Sequence, residues 1–236
     1  MRRLIWIIWI ISLAACNRAA VESNNRAMEC IHRGMYEQAL EELNAAITSA
    51  PAYLPAYFNR AIVRANMRMP GDALKDIDRV IAGDPGNARA HYYRGVIHEN
   101  LGENREAIQD YSRAIACDPA FRDAYHYRGI ARYKMNDLDG ALVDYDAAIA
   151  LGLESSALFF NRGAILQQQG RFDEAITTYS HSIRIDPSNA NSYYNRAISR
   201  LCLDNLREAL QDLEISRRLG HPGAAGTIEK VLERAR

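Results

Sequence analysis

The 236-residue chain has little of what catalysis or metal binding requires. Its six histidines include no His-Glu-x-x-His pair, and its four cysteines include no pair with the spacing of a zinc site. A Gly-x-Ser-x-Gly nucleophile elbow and a glycine-rich phosphate loop are also missing. These absences argue against an enzyme, and they predict no metal site and no cofactor.

An excess of charge of either sign is missing as well. The chain carries 29 basic and 29 acidic residues. Without residues 1–15, which contain Arg2 and Arg3 and no acid, 27 basic residues would stand against 29 acidic ones. Because nucleic-acid binding needs a basic surface, we expect no nucleic-acid partner.

The sequence does have a period of 34 residues, which arginine marks in every repeat and proline in most. The arginines are Arg26, Arg60, Arg94, Arg128, Arg162 and Arg196, and the prolines are Pro51, Pro85, Pro119 and Pro187, with Leu153 at the remaining place. This period indicates a stack of helical hairpins. The predicted repeats are residues 20–53, 54–87, 88–121, 122–155, 156–189 and 190–223.

Each repeat has the pattern of two helices joined by a turn. Apolar residues step by three or four along two segments, which is typical of amphipathic helices. A turn around Gly102 separates the segments in the third repeat, and Asp118-Pro119 ends the second segment there, because proline lacks the N–H that a helix needs. Small residues recur where the two helices would meet, as at Gly95 and Ala107.

These features resemble the tetratricopeptide repeat (TPR), a helical hairpin of this length. The third repeat carries the resemblance best, at His91, Arg94, Gly95, Gly102, Ala107, Tyr111, Ala114 and Pro119. The resemblance covers residues 20–223. It implies an all-α fold, a right-handed superhelical solenoid of six hairpins whose first helices line a concave groove. Residues 224–236 are predicted to form a C-terminal capping helix.

Three cysteines, Cys30, Cys117 and Cys202, fall in the first, third and sixth repeats. In an extended stack they lie farther apart than the roughly 7 Å between Cα atoms that a disulfide allows. We therefore predict no internal disulfide, and we expect the three thiols to be small buried groups. The alternative is a reactive thiol at Cys202 that faces the groove.

The amino terminus has the pattern of a secretory signal. Arg2 and Arg3 precede an apolar run that ends in Leu13-Ala14-Ala15-Cys16. This run would form roughly 18 Å of helix, which is short against a hydrocarbon core of about 30 Å. Its last four residues resemble the lipobox of bacterial lipoproteins. The resemblance implies a signal peptide at 1–15, a lipid on Cys16 and a short tether at 16–22.

The same resemblance implies a location in the bacterial cell envelope. By the sorting rule of enteric-type bacteria, Asn17 favours an outer-membrane lipoprotein that faces the periplasm. The alternatives are the inner membrane, an uncleaved amino-terminal anchor, and a general signal peptide with a coincidental cysteine. With a lipid anchor, the partners would include the membrane.

The repeating arginine is predicted to be structural. An acid stands sixteen residues after it in five of the six repeats, and Thr178 takes that place in the fifth. We expect the guanidinium to meet the acid within each hairpin through paired hydrogen bonds. The predicted pairs are Arg60 with Asp76, Arg94 with Asp110, Arg128 with Asp144, and Arg196 with Asp212, together with Arg26 and Glu42. The alternative is a basic ladder that holds an acidic ligand.

Asparagine precedes the arginine in three repeats, at Asn59, Asn161 and Asn195. The TPR resemblance implies that an amide at this place hydrogen-bonds the backbone or terminal carboxylate of an extended peptide. Asn24 and Met28 replace residues of the full two-carboxylate clamp. Arg89 keeps one of its basic places and Tyr93 replaces the other, which argues against a clamp of the chaperone-tail kind. The other predicted groove residues are Tyr92, His126, Lys134, Phe160, Gln167 and Tyr194. An aromatic and polar groove of this kind suits an extended segment or a helix.

The sequence therefore predicts a non-catalytic, lipid-anchored scaffold that binds segments of other proteins. Similar-looking lipoproteins serve peptidoglycan hydrolases or the assembly of pili and secretion machinery. The alternative is a homo-oligomeric structural protein whose repeats associate with one another.

Overall fold

The computed structural model describes residues 2–234, with side chains from residue 16 to residue 233. This part of the chain contains helices and no strand. The helices are α1 (Arg2–His32), α2 (Tyr36–Ser49), α3 (Leu54–Asn66), α4 (Pro70–Gly83), α5 (Ala88–Asn100), α6 (Asn104–Cys117), α7 (Arg122–Lys134), α8 (Leu138–Ala150), α9 (Ser156–Gln168), α10 (Phe172–Ile185), α11 (Ala190–Cys202), α12 (Leu206–Arg218) and α13 (Ala224–Arg234). The predicted all-α class of stacked helical hairpins is confirmed.

The helices fall into two compact units, Met1–Ala124 and Tyr125–Arg236. In the first unit α1 and α2, α3 and α4, and α5 and α6 form hairpins, and they stack because α2 contacts α3 and α4 contacts α5. In the second unit α9 pairs with α10 and α11 with α12, while α8 contacts α9 and α12 contacts α13. Helices α3, α5, α7, α9 and α11 begin at residues 54, 88, 122, 156 and 190, where the sequence places the starts of the repeats.

The segment predicted as a tether, residues 16–22, is helical and belongs to α1. Ala20 is fully buried and packs with Ala39 and Leu43 of α2, so the first hairpin already holds the chain at this point. The predicted signal peptide, residues 1–15, lies outside the residues whose side chains are described. Within residues 16–233, no helix offers an apolar stretch of the length needed to cross a bilayer.

The inner turn of each hairpin is closed in the same way. The N–H of Glu103 returns to the carbonyl of His98 at 2.9 Å, and the residue between helix and turn, Gly102, has a φ of 79°. This closure satisfies carbonyls at the end of the first helix. The positive φ recurs at Gly34, Arg68, Gly102, Asn136, Gly170 and Asp204. Glycine, asparagine and aspartate tolerate this conformation, whereas Arg68 is the bulky exception.

The two helices of a hairpin meet through a matched pair of residues. In three repeats a glycine faces a fully buried tyrosine, and a Cβ on Gly163 would lie 2.7 Å from the ring of Tyr179. In the other three repeats an alanine faces a leucine or isoleucine. The pairs are Gly95 with Tyr111, Gly129 with Tyr145 and Gly163 with Tyr179, then Ala27 with Leu43, Ala61 with Ile77 and Ala197 with Leu213, each in one buried cluster. The larger ring occurs only where the opposite residue has no side chain.

This pairing predicts non-additive substitutions. Gly163→Ala should cost about 1–3 kcal/mol, because the new methyl group overlaps the Tyr179 ring and outweighs the helix-propensity gain. Tyr179→Leu should cost at least about 2 kcal/mol through the cavity that it leaves. The double variant, which reproduces Ala197 and Leu213, should be more stable than the sum of the two losses by about 1 kcal/mol or more. Urea unfolding of the four proteins measures this coupling, and strictly additive losses would contradict it.

The C-terminal helix closes the second unit. Ala224 and Val231 of α13 are buried, and Ile228 packs with Leu213. His221, just before the helix, stacks on Tyr194 with ring centroids 4.0 Å apart, and its Nδ1 accepts from the Gly223 N–H at 3.1 Å. The Tyr194 hydroxyl meets Thr227 Oγ1 at 3.2 Å. The cap is therefore attached to the sixth repeat through one aromatic stack and one polar contact as well as apolar packing, and the His221–Gly223 hydrogen bond orders the loop before it.

The four cysteines are free. Cys30 is half-buried against the first hairpin, as expected for a small apolar group. Cys117 and Cys202 are exposed, so the prediction of burial is wrong for these two. Both are the last residue of a helix, Cys117 of α6 and Cys202 of α11.

Attachment of the cap should weaken in acid. Burial lowers the pKa of His221 below its ordinary value of 6.5. As the pH falls, the unfolded chain therefore binds the proton before the folded one does. The stabilisation by neutral His221 is complete above pH 6.5 and is lost as the pH falls through the lowered pKa of the folded protein. We expect amide exchange in α13, corrected for its intrinsic rate, to accelerate between about pH 7.5 and about pH 5. His221→Phe, which keeps a stacked ring without a titrating group, should remove this acceleration, and an unchanged pH dependence would contradict the assignment.

Candidate protein-binding site

The repeating arginines lie between the two helices of their own hairpins. Each predicted arginine–acid pair is within salt-bridge distance. Asp76, Asp110, Asp144 and Asp212 are buried, and Glu42 of the first repeat is half-buried. The closest distances are 2.8 Å for Arg26 and Glu42, 2.6 Å for Arg60 and Asp76, 2.6 Å for Arg94 and Asp110, 2.7 Å for Arg128 and Asp144, and 2.7 Å for Arg196 and Asp212. In the fifth repeat Arg162 donates to the hydroxyl of Thr178 at 2.9 Å.

The same arginines also reach back to the preceding hairpin. Arg94 donates to Asp78, sixteen residues before it, at 2.8 Å, and the hydrogen bonds to Asp110 and then to Asp78 raise its pKa. Equivalent bonds join Arg60 to Asn44 at 2.7 Å, Arg162 to Asp146 at 2.7 Å and Arg196 to Ser180 at 2.9 Å. One guanidinium therefore connects three helices: its own, the second helix of its hairpin and the second helix of the hairpin before.

A second cation completes the surroundings of the acid, and the sequence analysis missed it. Arg64, four residues after Arg60, donates to Oδ2 of Asp76 at 2.6 Å, an oxygen that also accepts from Arg60. Arg132 does the same for Asp144 at 2.8 Å, and Arg200 for Asp212 at 2.5 Å. The spacing of four residues was visible in the sequence and is the signal that could have found them. Because these groups are engaged within the hairpins, they do not form a ladder free to hold an acidic ligand.

A pocket of about 560 Å³ lies between the first helices of the first unit. Asn24 and Met28 of α1 form one side, and Phe58 and Asn59 of α3 form the floor. Its other lining residues are Leu54, Pro55, Val80, Asp84, Asn87 and Arg89. Five of the ten lining residues are apolar, and the polar ones are three amides, the carboxylate of Asp84 and the guanidinium of Arg89. An apolar hollow with a few polar groups is the usual composition of a ligand-binding pocket.

Two amides lie side by side in this pocket. Asn59 Nδ2 donates to Asn24 Oδ1 at 2.8 Å, and Asn24 is almost completely buried. Each amide keeps a further polar atom, a donor on Asn24 and an acceptor on Asn59. An extended backbone presents one acceptor and one donor per residue, so the pair can bind a peptide main chain.

An exposed cation stands at the mouth of the pocket. The guanidinium of Arg89 lies 5.3 Å from the centroid of the Phe58 ring, which packs edge-on against Tyr93. Among the described residues no carboxylate lies within salt-bridge distance of Arg89, while Asp84 accepts from Asn87 at 3.0 Å. The end of Arg89 is therefore available to an acidic group of a ligand.

Three of the predicted groove aromatics pack on the tyrosine of the second helix. Tyr92 lies 5.8 Å from Tyr111, His126 lies 6.0 Å from Tyr145, and Phe160 lies 6.0 Å from Tyr179, each between ring centroids. All three are half-buried, so they serve the packing of their hairpins and expose part of a ring.

Two predicted polar groove residues of the second unit, Gln167 and Asn195, contact the same buried tyrosine. Tyr179 donates to Gln167 Oε1 at 2.8 Å, and burial raises the pKa of its hydroxyl while a hydrogen bond from Asn195 opposes that shift. Asn161 is half-buried and Lys134 is exposed. Gln167 and Asn195 thus hold a buried tyrosine in place.

Tyr194 departs from its prediction as an open groove residue. Its ring is covered by His221 and its hydroxyl meets Thr227, so the chain's own C-terminal cap occupies this surface. The sequence analysis placed a capping helix here and did not place the loop before it, which brings His221 onto the ring.

No group of three or more potential metal ligands occurs among the described residues.

Two family models, described as TPR repeat and tetratricopeptide repeat, match residues 163–200 and 58–120. The chain contains tetratricopeptide repeats.

Solved structures of other TPR proteins have the same fold. PilF of Pseudomonas aeruginosa is 19% identical, with a TM-score of 0.80 over 93% of this chain and 99% of that one. YrrB, described as a TPR protein with an unusual peptide-binding site, is 22% identical, with a TM-score of 0.70 over 80% of this chain and 97% of that one. MamA is 20% identical, with a TM-score of 0.63 over 70% of this chain and 96% of that one. No curated protein matches this TPR chain significantly in sequence.

The buried acids should carry far more stability than the exposed ones. Asp76→Ala should cost about 3–5 kcal/mol, because it leaves Arg60 and Arg64 partly buried without their carboxylate. Asp78→Ala, two residues along α4, removes a carboxylate that is 58% exposed and should cost about 1 kcal/mol or less. Urea unfolding of both variants makes the comparison. Equal losses would show that the buried network does not govern the stability of the first unit.

Proposed function

We propose that this TPR protein is a non-catalytic adaptor, held by a lipid at the surface of a bacterial envelope membrane, that binds segments of other proteins. The observation that carries the proposal is the pocket of the first unit, where an amide pair, an apolar floor and an unpaired arginine face the same space. TPR proteins as a class bind other proteins, and YrrB is described as having a peptide-binding site.

The chemistry of the pocket favours an extended segment as its ligand. Asn24 and Asn59 suit a peptide main chain, and the hollow between Met28, Phe58 and Val80 suits an apolar side chain. Arg89 adds a preference for an acidic residue next to that apolar one. A segment of this kind would gain its affinity from the buried apolar anchor and its register from the amides.

The amino terminus supports a lipid anchor. Leu13-Ala14-Ala15-Cys16 has the order of a lipobox, and Cys16 is exposed at the start of the described side chains. Two or three acyl chains on one residue hold a protein firmly at a bilayer. We place the protein at the periplasmic face of the outer membrane, on the basis of Asn17. Mass spectrometry of the mature amino terminus tests this directly, and an unmodified Cys16 would contradict it.

The pocket makes a prediction about binding. Asn59→Ala and Arg89→Ala, singly, should each weaken capture of the partner segment by about tenfold or more, since a buried polar contact or a desolvated charge contact is lost. Arg89→Ala should change the melting temperature by no more than about 2 °C, whereas Asn59→Ala, which removes the donor to the buried Asn24, should lower it by several degrees. Crosslinking in intact membranes identifies the segment, and its synthetic peptide then gives the affinity by fluorescence anisotropy.

Matched controls are available on nearby surfaces. Asn25→Ala and Arg79→Ala change exposed residues of the same types outside the pocket, and they should leave the affinity unchanged. Full affinity in the two pocket variants would reject the site. Capture of a second copy of this chain as the main crosslinked protein would favour self-association instead.

A further inference from the structure

The lipid anchor and the pocket belong to one rigid element, and this limits which partners the pocket can reach. We infer that the pocket receives a membrane-proximal segment of a partner that is itself held in the same membrane. The inference rests on the lipid anchor of the proposed function and adds the position of the ligand relative to the bilayer.

The first observation is that α1 continues without a break from Cys16 into the pocket. Asn24 and Met28, which line the pocket, follow Cys16 by eight and twelve residues on this helix. At 1.5 Å per residue these separations are about 12 Å and about 18 Å. The pocket wall therefore stays within about 18 Å of the residue that bears the lipid, whatever the tilt of the helix.

The second observation is that α1 cannot swing freely on the first hairpin. Ala20, Ser23 and Ala27 are buried against the rest of the hairpin, beginning one turn after Cys16. Only Asn17, Arg18 and Ala19 separate the lipidated residue from the packed part, and Arg18 is tied to Glu22 by a salt bridge of 2.9 Å. A flexible tether, which would let the domain move away from the surface, is absent from residues 16–32.

These two constraints set the reach of the pocket. An extended segment covers about 18 Å with about six residues, at 3.3 Å per residue. A partner anchored in the same membrane thus presents the pocket with the residues that follow its own anchor. A binding segment carried far above the bilayer does not meet the pocket unless the partner folds back.

A photo-crosslinking amino acid at Met28 of the full-length protein tests the inference in intact cells. A second variant with the same amino acid at Leu232, on the exposed face of α13, is the control. Peptide mapping should place the crosslinks from Met28 within about ten residues of a lipid anchor or transmembrane segment of the partner. Crosslinks from Met28 that map only to membrane-distal domains of partners would overturn the inference, as would the absence of any membrane-anchored partner.

Spacers provide a second readout. A rigid helical insert of eighteen residues between the anchor and the binding segment of the captured partner would raise that segment by about 27 Å. The crosslink yield should then fall at least about fivefold. A flexible insert of eighteen residues between Asn17 and Arg18 of this protein should then restore the crosslink yield with the elongated partner. An undiminished yield with the rigid insert would contradict the inference.

The two proposals fail in different ways. If mass spectrometry finds no lipid on Cys16, the proposed anchoring is wrong and the inference falls with it. If the lipid is present and the synthetic peptide binds, but the crosslinks are membrane-distal, the adaptor function stands and only the position of its ligand is wrong.

Discussion

The repeating arginine is the interaction on which the rest of this structure depends. A TPR hairpin has little core of its own, so a stack holds together only if each hairpin is fixed to the next. In this chain one guanidinium meets the second helix of its own hairpin and the second helix of the hairpin before. Breaking such a partly buried pair leaves a charge without a partner, which costs several kcal/mol. Packing arrangements that keep every pair are therefore favoured, and this fixes one register between the helices.

The close fit between helices follows from this fixed register. Because the guanidinium sets the separation of the two helices, the space between them is similar in every hairpin. It is filled either by a glycine with a tyrosine or by an alanine with a leucine or isoleucine. The pocket arises where the pattern changes. Phe58, Tyr92, His126, Phe160 and Tyr194 are spaced by 34 residues, and Asn24 takes their place in the first repeat. A small amide in place of a ring leaves space beside Phe58, and that space is the pocket.

Much of the architecture could be predicted because it is repeated. Six copies of one pattern gave the starts of the helices, and the spacing of sixteen between arginine and acid gave the pairs within hairpins. The spacing of four that identifies Arg64, Arg132 and Arg200 was equally readable. The site was less accessible, because pocket and groove depend on which side chains cover one another. Nothing in the neighbourhood of Tyr194 in the sequence reveals that His221 stacks on it, and nothing near Cys16 reveals that its helix already packs at Ala20.

The most direct test of the account is amide exchange in the Arg94→Met variant, which keeps an apolar stem and removes the guanidinium. Because Arg94 joins Asp110 of α6 to Asp78 of α4, both helices should lose protection, although they belong to different hairpins. Loss of protection in α6 alone would show that the arginine stabilises only its own hairpin. That result would contradict the claim that this residue couples neighbouring repeats.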